Sequence, residues 1–225
     1  MQIPLKYPKM DTLFERAKEG DNIGKVTNII RDPRFDIVDP VSWMFTEKID
    51  GTNIRIYSYM DGAARKWAIG GRTDAAQIHG TLMQHVNEMM ERIGPILAEK
   101  FEGDLVLCGE GCGAGIQKGA GYFDAPHFVM FDIVRTDTAF PVFFEWHSVV
   151  GIGQMLDIPV VPQISGDMVD IITMMTEGCT TLLGKQQAQM EGVVARTDPN
   201  LYFTTGDSVK PLRWKLKTKD FVKGK

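Results

Sequence analysis

Two Asp-Gly pairs, Asp50-Gly51 and Asp61-Gly62, most tightly limit what this chain can fold into. Glycine after aspartate suits a tight turn, so each pair ends one strand and starts the next. Val41–Ile49 reads as the first strand, Thr52–Tyr59 alternates as the second, and Ala63–Ile69 follows as the third. Asp104–Glu110 and His127–Arg135 are apolar enough for buried strands, and Glu191–Arg196 and Leu212–Thr218 complete the set. One segment has a different period: across His79–Phe101, the residues Leu82, Val86, Met89, Met90, Ile93 and Leu97 recur at helical spacing. Glu145–Leu156 and Asp167–Met175 read as shorter helices, and Asp32-Pro33 and Asp39-Pro40 mark turns in a loop-rich start. Strands joined by short turns, with helices at irregular intervals, predict an α+β fold with antiparallel sheets flanked by helices. No regular βαβ repeat occurs and no G-x-G-x-x-G follows a strand, which argues against a dinucleotide fold.

No repeat, low-complexity tract or Gly/Ser linker interrupts the 225 residues, so they read as one domain, 1–225, long enough to bury a sizeable core. Three cysteines, Cys108, Cys112 and Cys179, are an odd number without a C-x-x-C pair. They point to a reduced, cytoplasmic compartment rather than to a disulfide framework or a zinc site. The longest uncharged stretch with a strong apolar run, Trp146–Leu156, falls far short of the ~20 residues that a membrane helix needs, and the first residues lack the apolar region of a secretory signal.

The net charge of −4 conceals an asymmetry. Lys210–Lys225 holds six lysines and one arginine against one aspartate, a net of +6, which leaves −10 on the remainder. A basic terminus on an acidic body suits an anionic partner such as phosphate or nucleic acid. Within it, Arg213, Trp214, Lys215, Leu216 and Lys217 alternate, which places Arg213, Lys215 and Lys217 on one face of a strand.

Five segments carry residues suited to chemistry. Lys48-Ile49-Asp50-Gly51 puts a lysine at a strand end beside a turn, where a neutral amine is a nucleophile. Gly109-Glu110 ends an apolar strand and opens a glycine-rich loop that contains Lys118. Phe128–Ile133 is an aromatic-bearing buried strand, Glu191-Gly192-Val193-Val194 opens another strand with a carboxylate, and Arg213, Lys215 and Lys217 supply cations. Each has a plain reading when taken alone: an exposed lysine on a turn, a long loop, a core phenylalanine, a surface strand end. His79, His85, His127 and His147 show no ligand spacing.

In sequence order, Lys48, Gly71-Arg72-Thr73, Glu110, Phe131, Glu191 and Lys215/Lys217 resemble the motif series of the covalent nucleotidyltransferases, the superfamily of polynucleotide ligases and messenger-RNA capping enzymes. E-K-I-D-G-T-N, G-x-G-I-Q-K, F-D-I, E-G-V-V and the final W-K-L-K are most similar to the RNA ligase 2 family, across residues 43–219. The resemblance implies an ATP-grasp-like nucleotidyltransferase domain with the nucleotide cleft between its sheets. It also implies an ATP-dependent RNA ligase that joins 5′-phosphate and 3′-hydroxyl RNA ends through lysyl-AMP. Family members usually continue into a C-terminal domain; this sequence ends soon after Lys217, so the expectation is a minimal form, with a separate end-processing or RNA-binding protein as a partner. The phage-like size suggests RNA repair by a phage-encoded enzyme in a host cytoplasm.

By the same resemblance Lys48 is the nucleophile, and Lys215 and Lys217 are catalytic cations. The resemblance also places Asn53 and Arg72 near ribose and phosphates, Glu110 at a ribose hydroxyl and Phe131 stacked on adenine, while Glu47, because it adjoins the nucleophile, is expected to read the adenine edge. Glu191 holds Mg²⁺ or Mn²⁺, and Lys118 and Arg213 meet RNA or phosphate. The physical need behind this set is clear. A free lysine at neutral pH is neutral only about once in two thousand, and nearby cations disfavour its charged form. Two alternatives stay open: a DNA ligase or GTP-using capping transferase, against which T-N after K-x-D-G argues, and a non-catalytic nucleic-acid-binding module. Intact Lys48, Glu110, Glu191, Lys215 and Lys217 and an acidic pI of about 5.6 argue against the latter.

Overall fold

The helical period of residues 79–101 becomes α2 (Gly80–Lys100), which buries Leu82, Val86, Met89, Met90, Ile93 and Leu97 along one stripe. The computed structural model that contains it describes residues 2–20, 23–37, 43–62, 64–116, 121–184, 188–206 and 208–221. They divide into two compact units, one of Met1–Pro8 with Asp50–Val161 and one of Lys9–Ile49 with Pro162–Lys225. The expected mixed α+β class with antiparallel sheets is what each unit shows. No helix among the described residues is long and apolar enough to cross a membrane.

The first unit is built on a five-stranded antiparallel sheet. Its order is β6 (Ala64–Gly71), β5 (Thr52–Asp61), β7 (Leu105–Cys112), β8 (His127–Arg135) and β9 (Val142–Phe143). Helix α2 packs so closely that a Cβ on Gly111 would sit 2.3 Å from Leu82 Cδ2, so the strand carries glycine there. Ile3, Leu5 and Tyr7 alternate inward to pack with Val106, Cys108, Val134 and Phe143. Arg55 crosses beneath this segment fully buried, donating to Leu5 O, Gly71 O and Asp74 Oδ1. Helix α3 (Trp146–Leu156) ends on Asp157 in the left-handed conformation, at φ 53°.

The second unit holds the sheet β1 (Asp11–Thr12), β14 (Arg213–Lys217), β11 (Gly192–Thr197), β4 (Trp43–Lys48) and β10 (Gln163–Ile164). Every neighbour pair is antiparallel except β1 with β14. Side chains alternate across a strand, so each row of cross-strand partners faces one way. Phe45, Ala195 and Trp214 form one apolar row, and Trp43, Val193 and Leu216 share its face. Ile171 and Met175 of α4 (Met168–Glu177) join that core, and the Asp167 carboxylate caps the helix by accepting from Val169 N and Asp170 N. Two hairpins, β2 (Phe14–Arg16) with β3 (Val26–Ile30) and β12 (Tyr202–Thr205) with β13 (Ser208–Pro211), and two short helices, α1 (Arg34–Ile37) and α5 (Thr218–Phe221), complete the unit.

The turn signals need one correction. Asp61-Gly62 closes the β5–β6 hairpin, in which Asp61 pairs with Ala64. Asp50-Gly51 does not close a hairpin: β4 and β5 belong to different sheets. Asp-Gly specifies a change of direction, not which strand will pair with which. The loop-rich reading of the first forty residues likewise gives way to β1, β2, β3 and α1: β1, β2 and α1 are too short for a period to be read, and the VTNII of β3 does not alternate.

Trp214 is fully buried, 5.6 Å from the Trp43 ring and 5.8 Å from the Phe45 ring. Trp214→Ala should therefore lower the unfolding free energy by about 3–5 kcal/mol. Urea denaturation measures it, and a loss below about 1 kcal/mol would show that this cluster does not hold the sheet together.

Candidate active site

Register in the second unit brings distant residues to one level. Lys48 at the end of β4 lies opposite Gly192, and Gly192 lies opposite Lys217 at the end of β14. The next rows on that face are Thr46, Val194 and Lys215, then Met44, Arg196 and Arg213. Glu191 immediately precedes β11 and is bonded on both sides: Lys48 Nζ lies 2.5 Å from its Oε2 and Lys217 Nζ 2.6 Å from its Oε1. All three side chains keep between 14% and 23% exposure, so the cluster is sheltered yet reachable. A Cβ at residue 192 would fall 2.1 Å from Leu216 O; glycine lets the central strand come this close to β14.

Arg213 shares this face but is buried, with Nη2 3.5 Å from Asn200 Oδ1. Glu47 does not share it. One residue from Lys48 on an extended strand, it faces the apolar core at 1% exposure. Its carboxylate accepts from Thr181 Oγ1 at 2.5 Å and from Leu182 N at 2.8 Å. The adenine-reading role expected of Glu47 thus meets a side chain turned away from the lysine face and already engaged at both oxygens. Burial pushes this carboxyl above its ordinary value, and the two hydrogen bonds pull partly back.

The first unit carries the other motif residues. Asn53 lies opposite Glu110 across β5 and β7, and Asn53 Oδ1 is buried with no hydrogen-bond partner among the described residues. Beyond Glu110, burial and then that residue's charge push the Cys112 thiol up to about 12, so Cys112 is no nucleophile. Phe131 sits where the β7–β8 register shifts: Cys108 pairs with Asp132 and Gly109 with Met130, leaving Phe131 between them. The Tyr7 ring meets Phe131 edge-on at 5.3 Å, and its hydroxyl donates to Asp132 Oδ2 at 2.5 Å. Arg72 is exposed just beyond β6. Lys118 lies outside the described residues.

Three contacts had no signal in the sequence motifs. Asp50 N donates to Tyr122 Oη at 3.1 Å, which fixes the turn of the K-x-D-G string. A Cβ on Gly51 would lie 2.3 Å from Gly111 O, which gives that glycine a packing role. Thr181 holds Glu47, as above. Each joins positions more than fifty residues apart, beyond the reach of local spacing.

The lysine cluster can bind an anionic group and offer it an amine. Among the described residues no three His, Cys, Asp or Glu side chains come together as a ready-made metal cage. Glu191 offers one carboxylate, and a magnesium-type ion takes one or two and completes its shell with water and substrate phosphate oxygens; to bind one, Glu191 would give up a lysine contact.

A family model for RNA ligase matches residues 41–215. Among solved structures, Naegleria gruberi RNA ligase with PPi is similar at 16% identity and a TM-score of 0.63, covering 95% of this chain and 62% of that one. A mutant of that ligase with ATP and Mn gives 19% identity and a TM-score of 0.61, covering 94% of this chain and 57% of that one. An apo mutant gives 18% and 0.60, with 83% and 52% covered. At these identities the likeness is one of fold, and the chain spans from 52% to 62% of the length of these ligases. No curated protein matches the sequence.

The environment of Glu47 leads to a pH prediction. Because burial favours its neutral form in the folded chain, its contribution to stability is full below the ordinary carboxylate pKa and is lost as pH rises through the raised one. Glu47→Gln stays neutral, so its stability relative to the native chain should improve from about pH 4 to about pH 7. Urea unfolding across that range reads the trend, and a gap that is constant or reversed refutes it.

Proposed function

This chain belongs to the RNA ligase family, and from that premise we propose that it is an ATP-dependent RNA ligase acting in RNA repair, with Lys48 as its nucleophile. The observation that carries the reading is the Glu191 carboxylate held between the Lys48 and Lys217 ammonium groups, with Lys215 in the next row of the same face. In the first step Lys48 Nζ, released from Glu191 and neutral, forms a bond to the α-phosphorus of ATP; the bond to pyrophosphate breaks, leaving lysyl-AMP. AMP then passes to a 5′-phosphate RNA end, and a 3′-hydroxyl displaces it to seal the strand.

This chain's residues fit those steps by charge and position. Lys217 and Lys215 present cations on the face where negative charge would build on the α-phosphate, which favours that charge electrostatically. A divalent ion, Mg²⁺ or Mn²⁺, would be held by Glu191 and would neutralise phosphate charge when bound. For the nucleoside, Asn53 offers a buried carbonyl oxygen beside Glu110, and Phe131 offers a ring worth about 1–3 kcal/mol in base stacking. Arg72, exposed beyond β6, is assigned to phosphate. The free thiols of Cys108, Cys112 and Cys179 suit a reducing cytoplasm.

Incubation with Mg²⁺ and ATP or GTP, read by intact mass, tests the reading. An AMP adduct should form from ATP, none from GTP, and none in Lys48→Ala; full adduct in Lys48→Ala would disprove the choice of nucleophile. Lys217→Ala should slow adduct formation about 10²–10³-fold, measured in single turnover. Offered nicked duplex RNA, single-stranded RNA and nicked DNA, the enzyme should seal RNA best; faster sealing of DNA would favour the DNA ligase alternative.

A further inference from the structure

We propose that Thr218 is a positioning residue that sets the Glu191 carboxylate between the two lysines, an inference that rests on the Lys48 reading above. The β11–β14 ladder ends at the pair Gly192 and Lys217, so Glu191 lies one residue beyond it. Thr218 continues the grip past that end. Its backbone N–H donates to Glu191 O at 3.0 Å, and its hydroxyl donates to Met190 O at 2.7 Å. One residue thus holds the carbonyls on both sides of the Glu191 nitrogen and α-carbon, while Met190 N donates to Cys179 O at 2.9 Å. With its backbone pinned, Glu191 keeps a carboxylate that reaches Lys48 with one oxygen and Lys217 with the other.

Thr218 is itself anchored. It is 2% exposed and opens α5, whose Asp220 is buried and takes both nitrogens of the Arg16 fork at 2.9 and 2.7 Å. Lys25 Nζ adds a contact to Lys219 O at 3.2 Å. The β2–β3 hairpin therefore holds α5, α5 holds Thr218, and Thr218 holds Glu191. Thr218 lies outside the matched span of residues 41–215 and in none of the motif strings. Small misplacements of a reacting group are costly even when their source is remote from the chemistry.

Thr218→Val keeps the shape and removes the hydroxyl donor; Thr218→Ser restores it; Asp220→Asn weakens the anchor without altering Thr218. Two measurements are made on the full chain. The first is the single-turnover rate of AMP-adduct formation and its dependence on ATP concentration. The second, without nucleotide or metal, is the rate at which acetic anhydride acetylates Lys48, compared with exposed Lys9 by peptide mass. In Thr218→Val the maximal rate should fall about five- to tenfold at unchanged half-saturating ATP, and Lys48 labelling should rise several-fold. Thr218→Ser should match the native protein in both, and Asp220→Asn should fall between. If Thr218→Val labels and reacts like the native chain, or if Thr218→Ser fails equally, the inference is overturned. If labelling follows the expected order while no variant nor the native chain takes up AMP, Thr218 still positions Glu191, and it is the ligase reading that fails.

Discussion

Two ammonium groups in the same row of one sheet, on strands separated by a single strand, repel each other unless something negative stands between them, and in this protein that is Glu191. Its two oxygens take one lysine each, at 2.5 and 2.6 Å. Charge-assisted hydrogen bonds of this kind are short and strongly oriented. The bridge sets the spacing between the nucleophile and its neighbouring cation before any phosphate arrives. It also gives the carboxylate a dual character: it is a partner to Lys48 in the nucleotide-free protein and a ligand for a divalent ion in the proposed reaction. The same contact that organises the cluster has to yield when Lys48 attacks.

Close approach of backbone is the second constraint, and glycine meets it in both units. Gly192 lets β11 lie against Leu216 O, and Gly51 lets the K-x-D-G turn lie against Gly111 O. A methyl group at either place would overlap a carbonyl oxygen. The glycines in E-G-V-V and K-x-D-G thus serve packing, whereas the lysine and glutamate beside them serve charge. This division accounts for the glycine directly after Glu191 and for the one three residues after Lys48.

Much of this architecture was legible in the chain. The stripe from Leu82 to Leu97 predicted α2 almost to its ends, and the strands carrying Lys48, Glu110, Phe131 and Lys215/Lys217 stood where apolar runs placed them. Glu47 was misleading because its neighbourhood in sequence suggested a neighbourhood in space. Strand alternation already contained the contrary signal, since residues one apart on an extended strand face opposite ways. Strands β1 and β10 have two residues each, too few for any period to show, and their place comes from tertiary pairing. Thr218, Thr181 and Tyr122 were invisible for another reason: each acts through a single hydrogen bond or two to a residue far away in sequence.

The apolar face and the charged face of the second sheet are one design. A register shift of a single residue in a strand moves every side chain to the other face. On β4, β11 and β14 such a slip would expose Trp43, Phe45, Val193, Ala195, Trp214 and Leu216 and bury lysines in their place. Burial of a large apolar side chain stabilises by about 1.5–3 kcal/mol, so the five large ones among them make the slipped arrangement prohibitively unfavourable. The core therefore does more than hold the unit together. By fixing register to the residue, it ensures that positions 48, 192 and 217, drawn from three separate stretches of sequence, arrive at one level. The Glu191 bridge can be short because Trp214 and its neighbours have already decided where the lysines are.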